Sequence, residues 1–178
     1  FAEASAKAKS LPGAVIVFKR WAQARKLLDV PGGINGFFIS MLLAYMAQKG
    51  GQLSSSMDIN QMFRAALNGL AKPEFFKKGL FMHSKPAEVA EWHGAFSHVF
   101  LGPGGHVNIM ARISDSAVKE LIYEATVSAA ALKKSGHSAL GGVVLSQFPA
   151  PVRYDLHLHV EVGISEDETD GDLNAKRA

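Results

Sequence analysis

One stretch, Phe18 to Met46 (FKRWAQARKLLDVPGGINGFFISMLLAYM), limits what this chain can fold into more than any other. Ala14, Phe18, Trp21, Arg25 and Leu28 recur at spacings of three and four, the period of a helix with one apolar side. Asp29 to Gly33 then reads as a turn, and Asn35 is placed to cap the next helix. That helix, GFFISMLLAYMAQ, is apolar on nearly every face and ends at Gly50-Gly51. A helix of this kind has no side to offer water, so it must lie at the centre of a fold with other elements around it. Arg25 falls on the apolar stripe one turn beyond Trp21. It is positioned for an ion pair, for stacking of its guanidinium along the indole, or for a phosphate contact. Lys19, Arg20 and Lys26 project elsewhere around the same helix.

The flanking segments supply candidates for the surrounding layers. Residues 1–10 alternate Ala with Ser, Lys and Glu, and Leu11-Pro12-Gly13 is expected to separate them from a helix starting at Ala14. Ser54-Ser55-Ser56 is expected to cap a third helix with Asp58 in its first turn and Ile59, Phe63, Ala66 and Leu70 as its buried stripe, stopped by Pro73. A Lys/Phe-rich connection leads to a short helix from Ser84-Lys85-Pro86, carrying Glu88 and Glu91 and ending near Gly94. The period then changes. Phe96 to Leu101 and His106 to Arg112, flanking Gly102-Pro-Gly-Gly105, read as a β-hairpin. Ser114 opens a long helix with Val118, Ile122, Ala125, Ala129 and Leu132 on its apolar side. Residues 135–142, within the run KKSGHSALGG, read as a linker. Beyond it, Val152, Tyr154, Leu156, Leu158 and Val160 alternate with polar residues, as in a half-buried strand. The fold class is therefore α+β: a mainly helical domain over 1–134, then the first strands of a second α+β domain over 143–178 with an acidic tail.

At 178 residues, 48% of them hydrophobic and 20% charged, the chain has the composition of a folded protein. It contains no cysteine, which removes disulfides, thiolate zinc sites and a cysteine nucleophile. The longest apolar run, Gly36 to Ala47, falls short of the ~20 residues of a bilayer span, so no membrane partner is expected. Phe1 in place of an initiator Met, and the polar trail from Asp172 to Ala178, lead to the expectation of a piece of a longer protein. The net charge of +3 conceals an asymmetry: residues 1–162 hold 17 basic and 11 acidic side chains, residues 163–178 two basic and five acidic. A basic body suits a polyanion such as RNA, although an ordinary solvated surface with a slight excess of lysine is the commoner reason for such a balance.

No catalytic set is visible. His157, His159 and Glu161 share one face of the alternating strand and have ligand spacing, although a polar outer strand face is the commoner reason for such a pattern. The remaining histidines, His83, His93, His98, His106 and His137, are scattered, and neither a metal nor a cofactor is expected. No G-x-S-x-G elbow occurs. Gly102-Pro-Gly-Gly105 lacks the lysine of a phosphate loop and reads as a turn. Pro31-Gly-Gly33 precedes a helix, where N–H groups can meet a phosphate, or is simply an interhelical turn. Ser165, followed by Glu166, Asp167 and Glu168, resembles the site of an acidophilic kinase of the casein-kinase-two type.

Five segments in register resemble the nucleolar RNA-associated protein (Nrap) family of the small-subunit processome. FKRWAQAR (Phe18 to Arg25) is similar to that family's L-x-K-x-W-x-R-Q-R helix, and GINGFFISMLLAY (Gly33 to Tyr45) to its GG-x-x-GF-x-x-SMLLAYL helix. SMDINQMFR (Ser56 to Arg64) resembles SM-x-x-x-Q-x-FR, Asn108 matches an asparagine on the return arm of the hairpin, and Glu124-Ala125 matches a Glu-Ala pair in the following helix. At Gln23 and Ala24 the chain departs from the family's Arg-Gln, with one basic side chain fewer. The resemblance implies a helical domain like the central domain of poly(A) polymerases and oligoadenylate synthetases. It also implies a role in pre-ribosomal RNA processing in the nucleolus, with pre-ribosomal RNA and other processome proteins as partners. Lys19, Arg20, Arg25 and Lys26 are then the candidate RNA contacts. An active nucleotidyltransferase needs a Gly-Ser turn before paired aspartates on a strand, to hold two metal ions. The chain has no Gly-Ser dipeptide, and its one D-x-D, Asp170-Gly-Asp172, lies in the acidic tail. The expectation is a non-catalytic scaffold; the alternative is the central domain of an active enzyme whose palm lies outside this chain.

Overall fold

The computed structural model describes residues 1–28, 30–49, 51–82 and 86–134. The expected linker over 135–142, the segment 143–178 where a strand is expected, and His83, His137, His157, His159, Glu161 and Ser165 lie outside the described residues.

Helix α1 (Ala2–Lys7) precedes α2 (Leu11–Ala24). The second begins three residues earlier than expected, because Pro12 sits in its first turn, where the missing N–H would have had no partner within the helix. The break between α1 and α2 falls instead at Ala8, whose backbone is extended, and Pro12 and Gly13 both lie inside α2. After the turn, α3 (Gly36–Gln48) is capped as read: the Asn35 side chain accepts from the N–H of Phe38 at 2.8 Å. Phe38, Ile39, Met41, Leu42, Leu43, Ala44 and Met46 are all buried, so the helix is central, as its all-round apolarity requires.

Helix α4 (Ile59–Leu70) carries a correction. Asp58 itself is the cap, in a reciprocal box with Gln61: each side chain takes the other's backbone N–H, at 2.8 and 2.9 Å. Ser54 and Ser56 instead bond to one another in the preceding turn. Phe63, Ala66 and Leu70 are buried as expected, together with Met62 and Leu67. Ile59 stays partly in solvent, its side chain laid over Gly13, where a Cβ would meet it at 2.5 Å.

The expected hairpin is present only as a turn. The chain reverses at Gly102 to Gly105, with Gly102 N–H donating to Val107 and Ile109 N–H to Phe100, and a single antiparallel bridge joins Leu101 to Asn108. The regular partner of β2 (Phe100–Leu101) is instead β1 (Leu80–Phe81), in parallel, with Leu80 opposite Phe100. Helix α5 (Pro86–Trp92) makes the crossover that a parallel pair needs. The return arm fails to form a strand because Asn108 supplies from its side chain what a ladder would supply from backbone. Its Oδ1 accepts from the N–H of Phe100 at 2.9 Å and of Met110 at 3.0 Å, and its amide donates to the His98 carbonyl at 3.0 Å. Asn108→Ala leaves two buried N–H groups without acceptors, so a loss of about 2–4 kcal/mol is expected in chemical denaturation. A loss under about 1 kcal/mol would show that backbone or water replaces the side chain.

Ser114 caps α6 (Asp115–Lys134), its hydroxyl accepting from Ala117 N–H. The buried side of α6 is centred on Val118, Leu121, Ala125, Ser128 and Leu132, with Ile122 and Ala129 at its margin rather than its middle. Helix α2 packs against both α3 and α4, and α4 against α6. One continuous core joins them, and a smaller cluster of Val89, Val99 and Leu101 lies beneath α5. Among the described residues no helix is long and apolar enough to cross a membrane.

Candidate nucleic-acid interface and the signature residues

The residues that mark the sequence are turned mostly inward. Trp21 is fully buried in an aromatic group with Phe18 and Phe63, at centroid separations of 4.8 and 6.4 Å. Its indole N–H donates to the Ser128 hydroxyl at 3.0 Å, across from α2 to α6. One turn further along both helices, Arg25 Nη1 lies 3.5 Å from Glu124 Oε2, with the two side chains 8% and 6% exposed. Trp21 and Arg25 are thus a pair of rungs, four residues apart on α2, meeting Ser128 and Glu124, four residues apart on antiparallel α6. Of the three roles open to Arg25 in the sequence, the geometry gives it the ion pair. The sequence does not reveal its partner, although a carboxylate beside Leu121 and Ala125, on the apolar side of α6, was the available signal.

The other three candidate cations are distributed differently. The stem and ammonium of half-buried Lys19 lie against Gly36, 3.5 Å from where a Cβ on that glycine would stand. Arg20 is exposed, its guanidinium 3.4 Å from Gln23 Oε1. Lys26 is exposed and has a positive φ of 55°, because it closes α2: Lys26 N–H donates to Gln23 and Leu27 N–H to Ala22. That bond pair is a Schellman closure, with lysine where glycine is usual. Of the four, Arg20 and Lys26 are exposed, Lys19 is half-buried and Arg25 is buried.

The Gly-Gly turn also serves packing. Gly32 has φ +69°, and its carbonyl accepts the N–H of Ser114 at 2.8 Å, so the turn anchors the start of α6. A Cβ on Gly33 would meet Val30 Cγ2 at 2.4 Å and the Val30 carbonyl at 2.9 Å. Both glycines are therefore required, one for its backbone conformation and one for space. The first turn of α3 is occupied by the Asn35 cap.

Among the described residues the other polar groups form no catalytic constellation. His98 Nε2 is 3.3 Å from Asp115 Oδ1 at the surface. No group of three or more His, Cys, Asp or Glu side chains with metal-holding geometry occurs among the described residues.

The described residues thus form a helical body with a central apolar helix, a Trp-bearing helix tied to α6, and a minimal β unit. A family model described as the Nrap protein PAP/OAS-like domain matches residues 10–139, and the chain belongs to that family. Among curated proteins it is similar to Nucleolar protein 6 of Mus musculus, 31% identical over 158 residues, covering 85% of this chain and 14% of the relative. Nucleolar protein 6 of Homo sapiens is 29% identical over 157 residues, covering 86% and 14%. Nucleolar protein 6 of Xenopus laevis is 31% identical over 128 residues, covering 68% and 11%. The chain therefore spans about a seventh of the length of the curated relatives it matches.

Proposed function

We propose that this chain is a non-catalytic, RNA-associated scaffolding domain of a nucleolar protein in the small-subunit processome, acting in pre-ribosomal RNA processing. The relatives' name supports nucleolar localisation, and membership of the Nrap family supports a part in ribosome biogenesis. The observation that carries the scaffold reading is the inward use of the family's marked residues. Trp21 and Arg25 hold α2 to α6, and Asn108 holds the turn after β2. A domain whose distinguishing side chains are engaged with one another is suited to present a rigid surface. Its partners would be pre-ribosomal RNA and neighbouring processome proteins. Ser165 remains a proposed substrate of a casein-kinase-two-type kinase.

Absence of transferase activity is supported by the missing Gly-Ser turn and strand-borne aspartate pair, without which two metal ions have no carboxylate cradle in this chain. The competing reading is an active nucleotidyltransferase whose palm is elsewhere in the polypeptide. The test is to incubate the full-length protein with an RNA primer, Mg²⁺ and labelled nucleoside triphosphates. Retention of the RNA without extension is the expected result. Template-independent extension of the primer would sink the scaffold reading in favour of the enzyme.

A further inference from the structure

The Lys/Phe-rich connection between α4 and β1 plays no part in the role of α2, yet it builds a concavity lined by three lysines. Its segment KPEFFKK, Lys72 to Lys78, folds back on the C-terminal end of α3 through consecutive turns: Phe75 N–H donates to Lys72, Lys77 N–H to Glu74 and Gly79 N–H to Phe76. The result is a cleft of about 380 Å³ whose lining includes Tyr45, Lys49, Lys72, Glu74, Phe75 and Lys78.

Three features define what such a cleft holds. First, Lys49, Lys72 and Lys78 are all exposed, and none has an ion-pair partner among the described residues. The one carboxylate in the lining, Glu74, is bonded to Lys77 at 2.7 Å, which leaves the three lysines in excess. Second, Phe75 and Tyr45 are only partly buried and meet edge to face at 6.3 Å. They are braced from behind by Phe76 at 4.9 Å and Phe100 at 5.7 Å. Third, the Tyr45 phenol offers its O–H at the cleft, burial raising it further above neutral pH. Lysines in excess suit phosphodiesters, and fixed aromatic rings suit an unpaired base, which stacks on them whatever its identity. Duplex RNA offers phosphates but keeps its bases paired and stacked, so it meets only half of this chemistry.

We propose that the cleft between the end of α3 and the 71–79 connection binds single-stranded RNA, the phosphates on Lys49, Lys72 and Lys78 and a base against Phe75 and Tyr45. This rests on the RNA-associated reading above and adds a place on the surface that is distinct from the basic helix α2. The cleft lies at the C-terminal end of α3, whereas Lys19 lies at its N-terminal end, beside Gly36.

The test is the anisotropy of a labelled ten-nucleotide single-stranded RNA titrated with the full chain over a range of salt. A first variant carries Lys49→Glu, Lys72→Glu and Lys78→Glu. A second carries Lys19→Glu, Arg20→Glu and Lys26→Glu, with the same change of net charge. A third carries Phe75→Leu, which keeps apolar bulk beneath the loop but removes the ring face, and melting curves establish that each is folded. The cleft variant is expected to lose at least about tenfold in affinity and about two units of the log–log salt slope, at ~0.7 per phosphate on a single strand. Phe75→Leu is expected to lose about fivefold with the slope unchanged. Loss confined to the α2 variant would overturn the cleft while leaving RNA association standing. Equal loss in both triple variants, which net charge alone would produce, would overturn it too. Absence of binding by the unmodified chain would overturn both the cleft and direct RNA association.

Discussion

Arg25→Ala is expected to lower stability by about 3–5 kcal/mol, because it removes the guanidinium that faces Glu124 and leaves a carboxylate in a site where its side chain is only 6% exposed. The loss comes from the buried charge left behind more than from the ion pair itself. Bringing two ions out of water costs about as much as their attraction returns, so removing both together is a different experiment. Arg25→Met with Glu124→Leu replaces the pair by apolar side chains of similar length, lying between the Trp21 group and Leu121 and Ala125. This double variant is expected to recover most of the stability lost by either single change, in urea denaturation followed by circular dichroism. If the double variant is as unstable as the sum of its parts, Arg25 and Glu124 are not held by one another and the second rung between α2 and α6 does not exist.

Trp21→Ala is the second large effect, also expected near 3–5 kcal/mol, since it removes the largest fully buried side chain from the face shared by α2, α4 and α6. Two contributions can be separated. Trp21→Phe retains most of the buried ring but removes the N–H, which strands the Ser128 hydroxyl at a position with no solvent access. Stranding that hydroxyl costs about 1–2 kcal/mol. Adding Ser128→Ala to Trp21→Phe should return that part, because both members of the hydrogen bond are then gone. No recovery would mean that the hydroxyl is satisfied elsewhere and that the loss in Trp21→Phe is a packing defect.

These two rungs show what was legible in the sequence and what was not. The spine from Ala14 to Met46 could be read because its signals are local. Apolar spacing of three and four gives α2, all-round apolarity gives α3, and Asn35 marks the cap between them. The partners of Trp21 and Arg25 could not be read, since they are 107 and 99 positions away and no period links them. The same limit explains the β unit. Two-residue strands are too short to display a period, so β1 was hidden in a connection rich in Lys and Phe. The glycine turn after Leu101 has the sequence of a hairpin, but Asn108 satisfies the turn from its side chain and no second strand forms. Local chemistry misled once more at α4. Three serines outshone Asp58 as cap candidates, although Asp58 with Gln61 at the third position is itself a capping-box pattern.

Of the candidate RNA contacts, Arg25 was ambiguous for a physical reason. An arginine on an apolar stripe is placed equally well to face a buried carboxylate or to lie along a ring, and sequence spacing cannot rank the two. The Lys/Phe connection was legible as a composition and not as a site, because its lysines converge with Tyr45 and Lys49 only once the loop has folded back on α3.

The claim that the family's marked residues form an internal frame, with RNA met by outer side chains, is tested most directly on the Arg25→Met, Glu124→Leu double variant. The measurement is its affinity for single-stranded RNA against salt, beside the unmodified chain. A folded double variant with affinity within about twofold and the same salt slope is the predicted result, since the pair it removes is internal. A folded double variant whose affinity falls about tenfold, with a slope lower by ~0.7, would place Arg25 on a phosphate and contradict the claim.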